Sequence, residues 1–224
     1  QDKVHRASLE YGEVGEDFNP EVGFLRRTGG SRRMSTGWFG TLRTAKIREM
    51  GFRELAPHFS YTRYTDLHGV LETATFHVDN HLDWENGNYM APGFNIQWEG
   101  LRVPFEIYPG VVVPPGQYQS PHLAWRTNTD RRKAIFFNFD WDYGEFLSGR
   151  QNNVSPAVTF RKGAALNVVF RWIRNNVDLP QGAFKSNLGT LRATYNFTTS
   201  VFAQTLIQYN DRADLWSMNF RFGW

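Results

Sequence analysis

Cysteine is absent from this 224-residue chain, so no disulfide staples the fold. Small secreted domains rely on such staples, whereas a sheet held by its own hydrogen-bond ladder does not. Long apolar runs are missing too. The longest, Gly110 to Pro115 and Ala134 to Phe137, fall far short of the roughly 20 residues a membrane helix requires. A helical membrane protein is therefore excluded, although the negative mean hydropathy of −0.51 leaves room for a transmembrane β-barrel. Half of each barrel strand faces a polar lumen and cancels the lipid-facing half in any average. Charge of one sign is scarce: the net charge is +3 and the basic residues are scattered, so nucleic acid is not an expected partner. The chain starts at Gln1 without an initiator Met, charged n-region or apolar h-region. That start fits either a removed signal peptide or a piece of a longer protein. Spacing at i, i+3 and i+4 is sustained nowhere, so helices are not expected.

What the chain has in abundance is aromatic residues, with eight Trp, nine Tyr and nineteen Phe. Barrels use them as girdles at the two membrane interfaces; soluble β-sandwiches and lectin-like domains are rich in them as well. Their order is more informative. Trp216, Met218, Phe220, Phe222 and Trp224 alternate with Ser217, Asn219, Arg221 and Gly223. Successive strand residues point to opposite sides, so this segment has one aromatic and one wet face. A chain that stops on an aromatic after such a strand resembles an outer-membrane barrel.

The same alternation recurs upstream. Leu191, Ala193, Tyr195 and Phe197 alternate with Arg192, Thr194 and Asn196; Ile135, Phe137, Phe139, Trp141 and Tyr143 alternate mostly with Asn138, Asp140, Asp142 and Gly144. Leu166, Val168, Phe170 and Trp172 oppose Asn167 and Arg171, and Ala74, Phe76, Val78, Leu82 and Trp84 oppose Thr73, Thr75, His77, Asp79, His81 and Asp83. Turn signals at Asp66–Gly69, Glu85–Asn88, Asn128–Arg131, Gly149–Asn153 and Asp178–Gly182 separate these runs. About ten to twelve strands are expected, many longer than a typical globular strand and long enough to cross a bilayer when tilted. Phe94, Ile96 and Trp98 lie on even positions, whereas Leu101, Val103, Phe105 and Ile107 lie on odd ones. A bulge at Gly100 would keep them on one face of a single strand; two short strands joined at Gly100 is the alternative. Phe18–Arg33 and the proline-bearing Tyr108–Gln119 read as long loops, outside a membrane or folded into a lumen.

Several phrases go beyond pattern: Phe18 to Arg27, Phe59 to Leu67, Pro104 to Ile107 with its Pro-Gly-Val continuation, Asn176 to Pro180, and Gln208 to Ser217. In this order they resemble the C-terminal barrel region of the bacterial domain of unknown function 5916 family. Its members carry an N-terminal carbohydrate-binding-like module followed by a long outer-membrane barrel. The resemblance implies an all-β antiparallel transmembrane β-barrel, whole or partial, in the bacterial outer membrane. It also implies contact with outer-membrane lipid and a link to carbohydrate through a module this chain lacks, and it leaves room for other subunits of a membrane complex. It supplies no catalytic residue, and the family barrel has further strands before Gln1 and past Trp224.

Candidate chemistry is sparse. His77, Asp79, His81 and Asp83 share one strand face, but neighbours two apart are separated by about 6.6 Å. A pair such as His77 and Asp79 binds a metal only with ligands from an adjacent strand; otherwise these residues line water. Asp140 and Asp142, with Arg171 and Arg174 near in sequence, are either a glycosidase-type acid pair or charges that neutralise one another and set pore selectivity. The arginines between Arg26 and Arg33 suit an anionic lipid or phosphate, or simply a solvated loop. No catalytic, cofactor-binding or metal residue is assigned. The expected role is passage, anchoring or display rather than catalysis, with an outer-membrane hydrolase and a soluble β-rich binding domain as alternatives. The membrane assignment requires that the aromatics of Trp216–Trp224 not be sealed inside a dry interior.

Overall fold

Period-two patterning recurs along nearly the whole chain, and the backbone follows it. The computed structural model describes residues 3–21, 27 and 29–224. Val22 to Arg26, which belong to the first resemblance phrase and the arginine cluster, lie outside the described residues. With 73% strand and 2% helix the fold is all-β.

The strands are β1 (Lys3–Val14), β2 (Ser31–Leu42), β3 (Phe52–Thr65), β4 (Leu71–Trp84), β5 (Tyr89–Leu101), β6 (Phe105–Tyr108) and β7 (Val111–Val113). They continue as β8 (Gly116–Asn128), β9 (Ile135–Phe146), β10 (Gly149–Lys162), β11 (Leu166–Leu179), β12 (Gly182–Asn196), β13 (Phe202–Asn210) and β14 (Leu215–Gly223). A short helix, α1 (Ala45–Glu49), sits between β2 and β3. Twelve strands form one antiparallel meander in chain order, from β1 through β5 and then β8 through β14. β6 and β7 pair separately. Among the described residues β1 and β14 each have one neighbouring strand.

Register puts like with like. One row of directly opposed residues runs Ala7, Trp38, Phe59, Val78, Phe94, Leu123, Tyr143 across β1 to β9. A second runs Phe137, Val158, Phe170, Leu191, Ile207, Met218 from β9 to β14. Residues of these rows remain exposed, Phe137 at 57% and Met218 at 70%. The opposite face carries Phe39, His58, Asp79, Gly93, Ala124, Asp142, Asn153, Asn175 and Ser186 in one row. A one-residue slip of any strand would interchange the faces, so the register is strongly specified.

The hydrophobic core is small and lies on the polar face. Val111 and Val113 of the β6–β7 hairpin pack with Val177 and Leu179 of β11, and Tyr118, Phe146 and Phe184 close around them. Tyr108 stacks on Phe184 at 4.5 Å. The segment expected to be a long loop thus folds against the sheet as a hairpin, and Gln117–Gln119 already belong to β8. Its prolines leave a short run, Val111–Val113, free to pair with Phe105–Tyr108.

Other expectations are corrected. Gly100 is no bulge: β5 pairs with β8 without a register shift through Gly100 and Leu101, then ends, and Phe105 and Ile107 belong to the hairpin. The phase change marks the end of one strand. Glycine is needed at 100 because a Cβ there would collide with the Leu71 carbonyl. Arg32 and Arg33 are in β2, held by pairing with Glu13 and Gly12, so the loop ends at Gly30. Gly149–Asn153 is strand rather than turn; the turn is Leu147–Ser148, with Leu147 at φ 49°.

Prolines inside the sheet mark lapses in the ladder, because proline donates no hydrogen bond. Opposite Pro57 the β2–β3 pairing skips from Phe39–His58 to Leu42–Leu55. At Pro92 the β4–β5 pairing skips from Asp79–Gly93 to Leu82–Met90, and at Pro156 the β10–β11 pairing passes from Val154 to Ala157.

The β3–β4 turn is built on Asp66, whose carboxylate accepts the His68 and Val70 amides at 2.9 and 2.8 Å and pairs with Arg102 at 2.7 Å. Desolvation pushes this carboxyl up, but the Val70 amide and Arg102 outweigh it and leave it below the usual carboxylate range. A depressed folded-state value means Asp66 contributes stability above its unfolded value of about 3.9, lost as pH falls through the folded value. Asp66→Asn should therefore lower the unfolding midpoint at neutral pH and progressively less in acid, as thermal melts across pH will record. Val113→Ala, emptying a site that is 0% exposed, should cost about 2 kcal/mol, read as a shifted urea midpoint.

Candidate functional site

Four of the six histidines converge on the polar face of β3, β4 and β8. His58 lies directly opposite Asp79, and Ser60 opposite His77, in the β3–β4 ladder. On the other side of β4, His77 is opposite Asn95, which is itself opposite His122. Cross-strand neighbours sit about 5 Å apart, much closer than residues two apart on one strand. The adjacent-strand ligand that a metal at His77 and Asp79 needs is thus supplied, by His58. His81 joins the group, whereas Asp83 is drawn away to Arg53 at 2.9 Å.

Asp79 is the hub, with its side chain only 5% exposed. Its Oδ1 lies 2.6 Å from His58 Nδ1; its Oδ2 lies 3.2 Å from His77 Nε2 and 3.3 Å from His81 Nε2. His58 rings are 4.9 Å from those of His77 and of His81, and Phe39 covers His58 at 5.5 Å. His58, His77 and Asp79 each offer one ligand atom, all within 4.8 Å of one another. Gly93, opposite Asp79, gives the carboxylate room, since a Cβ there would stand 3.0 Å from Asp79 Cβ.

A hydrogen-bond relay orients the rings. His122 Nδ1 is 3.0 Å from the Ser120 carbonyl, which only accepts, so that nitrogen carries the hydrogen. In the neutral ring His122 Nε2 then accepts, and Asn95 Nδ2 donates to it at 3.2 Å. Asn95 Oδ1 consequently accepts from His77 Nδ1 at 2.6 Å. The hydrogen of His77 is spent on Asn95, and its Nε2 lone pair faces Asp79. At the end of this row Gly144, with φ 151°, leaves space that a Cβ would take from His122.

Towards the 85–88 and 129–134 loops the polar face opens into a cleft of about 550 Å³ lined by Arg53, Arg126, Arg131, Arg132, Arg171 and their partners. Asp130 and Arg132 pair at 2.8 Å, and the hydrogen-bonding Arg132 guanidinium holds the Asp130 carboxyl below the usual range. Arg171 pairs with Asp140 at 3.7 Å. Arg174 does not join: it bonds Asn176 and lies over Trp172, on the apolar face by register. Asp142 is opposite Ala124 and Asn153 rather than a cation. Five arginines against three aspartates, Asp83, Asp130 and Asp140, leave this cleft cationic.

The described arginines of the 26–33 cluster are each matched by a carboxylate: Arg27 with Glu72 at 2.7 Å, Arg32 with Glu13 at 2.8 Å, Arg33 with Glu10 at 3.1 Å. They form cross-strand ion pairs, with Arg27 also stacked over Tyr64 at 4.3 Å. Sequence inspection passes over His58, Asn95 and His122. Folding β3 onto β4 about the Asp66–Val70 turn is the signal that finds His58, because it sets His58 against Asp79. Neither a protein-family model, a curated protein nor a solved structure matches the chain.

The relay makes a spectroscopic prediction. At a pH where the rings are neutral, nitrogen-15 shifts of His122 and His77 should show the Nδ1–H tautomer. Detection of Nε2–H on His122 would contradict the relay, and Asn95→Ala should release the tautomer of His77 while leaving that of His122 unchanged.

Proposed function

We propose that this sheet is the wall, whole or partial, of an outer-membrane β-barrel that serves passage, anchoring or display. One observation carries the reading. Large apolar side chains stand exposed in register across the sheet, with Phe59 at 40%, Phe94 at 36%, Leu123 at 50%, Phe137 at 57%, Phe170 at 48% and Met218 at 70%. A contiguous apolar face of this extent is what soluble monomers avoid, and lipid is the solvent that accepts it. A soluble β-rich domain would instead bury these residues against a second layer.

Two further features support the reading. Strands of nine to fifteen residues in the meander suit a tilted crossing of a bilayer core. The cluster in which the β6–β7 hairpin sits draws residues from β5, β8, β9, β11 and β12. Neighbouring strands lie about 4.8 Å apart, so one small cluster gathers so many only where the sheet curls around it. The polar face then lines water, narrowed at one end by the hairpin. At the other end lies the arginine-lined cleft, which favours anionic solutes.

The link to carbohydrate rests on the resemblance of the quoted phrases, with the sugar-binding part supplied outside these residues. A hydrolase draws no support from Asp140, whose charge is engaged by Arg171.

The natural absence of cysteine makes the test direct. Spin labels placed singly at 216 to 223 in the lipid-reconstituted chain should alternate: Met218→Cys, Phe220→Cys and Phe222→Cys accessible to oxygen dissolved in lipid, Ser217→Cys, Asn219→Cys and Arg221→Cys to an aqueous nickel chelate. Uniform aqueous accessibility at both sets overturns the membrane reading.

A further inference from the structure

The cluster around Asp79 leaves a chemical need that its own side chains do not meet. Asp79 Oδ1 and His58 Nδ1 are both buried and are 2.6 Å apart, yet neither has a hydrogen-bond partner. The two atoms are close but do not meet hydrogen-bond geometry along the line between them. A bridging proton needs that line; a metal ion sits at the apex where the lone pairs meet. His77 Nε2 adds a third lone pair, held there because the Asn95–His122–Ser120 relay consumes the Nδ1 hydrogen.

We propose that His58 Nδ1, His77 Nε2 and the Asp79 carboxylate bind a zinc-class divalent transition-metal cation. Two imidazoles and one carboxylate are a ligand set such ions take, with the fourth position left to water. Ligands about 2.0–2.1 Å from a tetrahedral ion are about 3.3 Å from one another. His77 Nε2 and Asp79 Oδ2, at 3.2 Å, already have that separation; His58 Nδ1, 2.6 Å from Oδ1, has to move back, and the three ligand atoms, within 4.8 Å of one another, have to settle around the ion. The outer partners follow the usual pattern of a metal-bound histidine, whose other nitrogen donates to a fixed acceptor. Here that acceptor is Asn95, a positioning residue. His81, 3.3 Å from Asp79 Oδ2, stands beside the site as the nearest further imidazole.

The surroundings suit it. A buried carboxylate needs a compensating charge, and among the described residues the ion-pair partners of Asp79 are all imidazoles, His58, His77 and His81. Ladder lapses at Pro57 and Pro92 flank the cluster on both sides and give β3 and β4 the local freedom for the small adjustment. The inference stands on strand register and is independent of the membrane reading.

The test uses the purified 224-residue chain, folded as judged by circular dichroism and stripped with chelator. Titration with zinc chloride by calorimetry should give one equivalent. Cobalt chloride should give the visible bands of a four-coordinate nitrogen–oxygen site. Calcium and magnesium, which want an all-oxygen shell, should not compete. His77→Ala and Asp79→Asn should each weaken zinc by more than about tenfold, and Asn95→Ala by about tenfold through the freed ring. If Asp79→Asn does not fold, His58→Gln replaces it and is held to the same loss. No zinc uptake, uptake undiminished in these folded variants, or equal uptake of magnesium each overturns the proposal.

Discussion

The backbone ladder between antiparallel neighbours is the constraint on which everything else here depends. Because side chains alternate and partners are fixed residue by residue, the choice of register sorts every strand into the same two surfaces. Trp38 meets Phe59, and Val78 meets Phe94. One residue away along each strand, His58 meets Asp79 and Asn95 meets His122. The apolar face and the histidine cluster are thus two results of a single alignment. Hydrogen bonds between strands do what a large core does in a globular protein, and the buried apolar cluster serves chiefly to seat the β6–β7 hairpin.

The irregular residues mark where that alignment is allowed to relax. Pro57, Pro92 and Pro156 cost the sheet a few ladder bonds each, yet they lie in strands that keep their register on the other side. Glycines serve close approach: Gly93 makes space for Asp79 and Gly144 for His122. Loops carry the ordered electrostatics, with Asp66 closing one turn and Asp211 another by accepting the Asn187 amide at 2.7 Å. Acidic side chains in such turns replace the hydrogen bonds that the ladder no longer provides.

Much of the fold was legible because period two is a strong signal. Trp216 to Trp224, Ile135 to Tyr143 and Ala74 to Trp84 each announce a strand with one apolar face, and each is one, the first ending a residue early at Gly223. Boundaries were less legible. Phase reversal at Gly100 reads as a bulge in one strand or as two short strands joined there, and the unshifted pairing of Leu101 with Gly116 rules out the bulge. Polar runs such as Gly149–Asn153 look like turns because strand residues on a wet face share the turn vocabulary. The helix at Ala45–Glu49 is too short to show a period. For the site, half of the cluster was visible in His77, Asp79 and His81, which share a strand. His58, Asn95 and His122 were not, since what unites them is adjacency across strands, a relation that no linear spacing displays.

The two outermost strands carry a further consequence. Among the described residues β1 and β14 each have one neighbouring strand, so alternate amides and carbonyls on their outer sides are open to an extended backbone that comes alongside. Such a margin does not discriminate by side chain: it joins a continuation of the same wall, a neighbouring subunit or a duplicate molecule by the same stitching. Any association through such a margin grows with concentration, because it joins separate molecules.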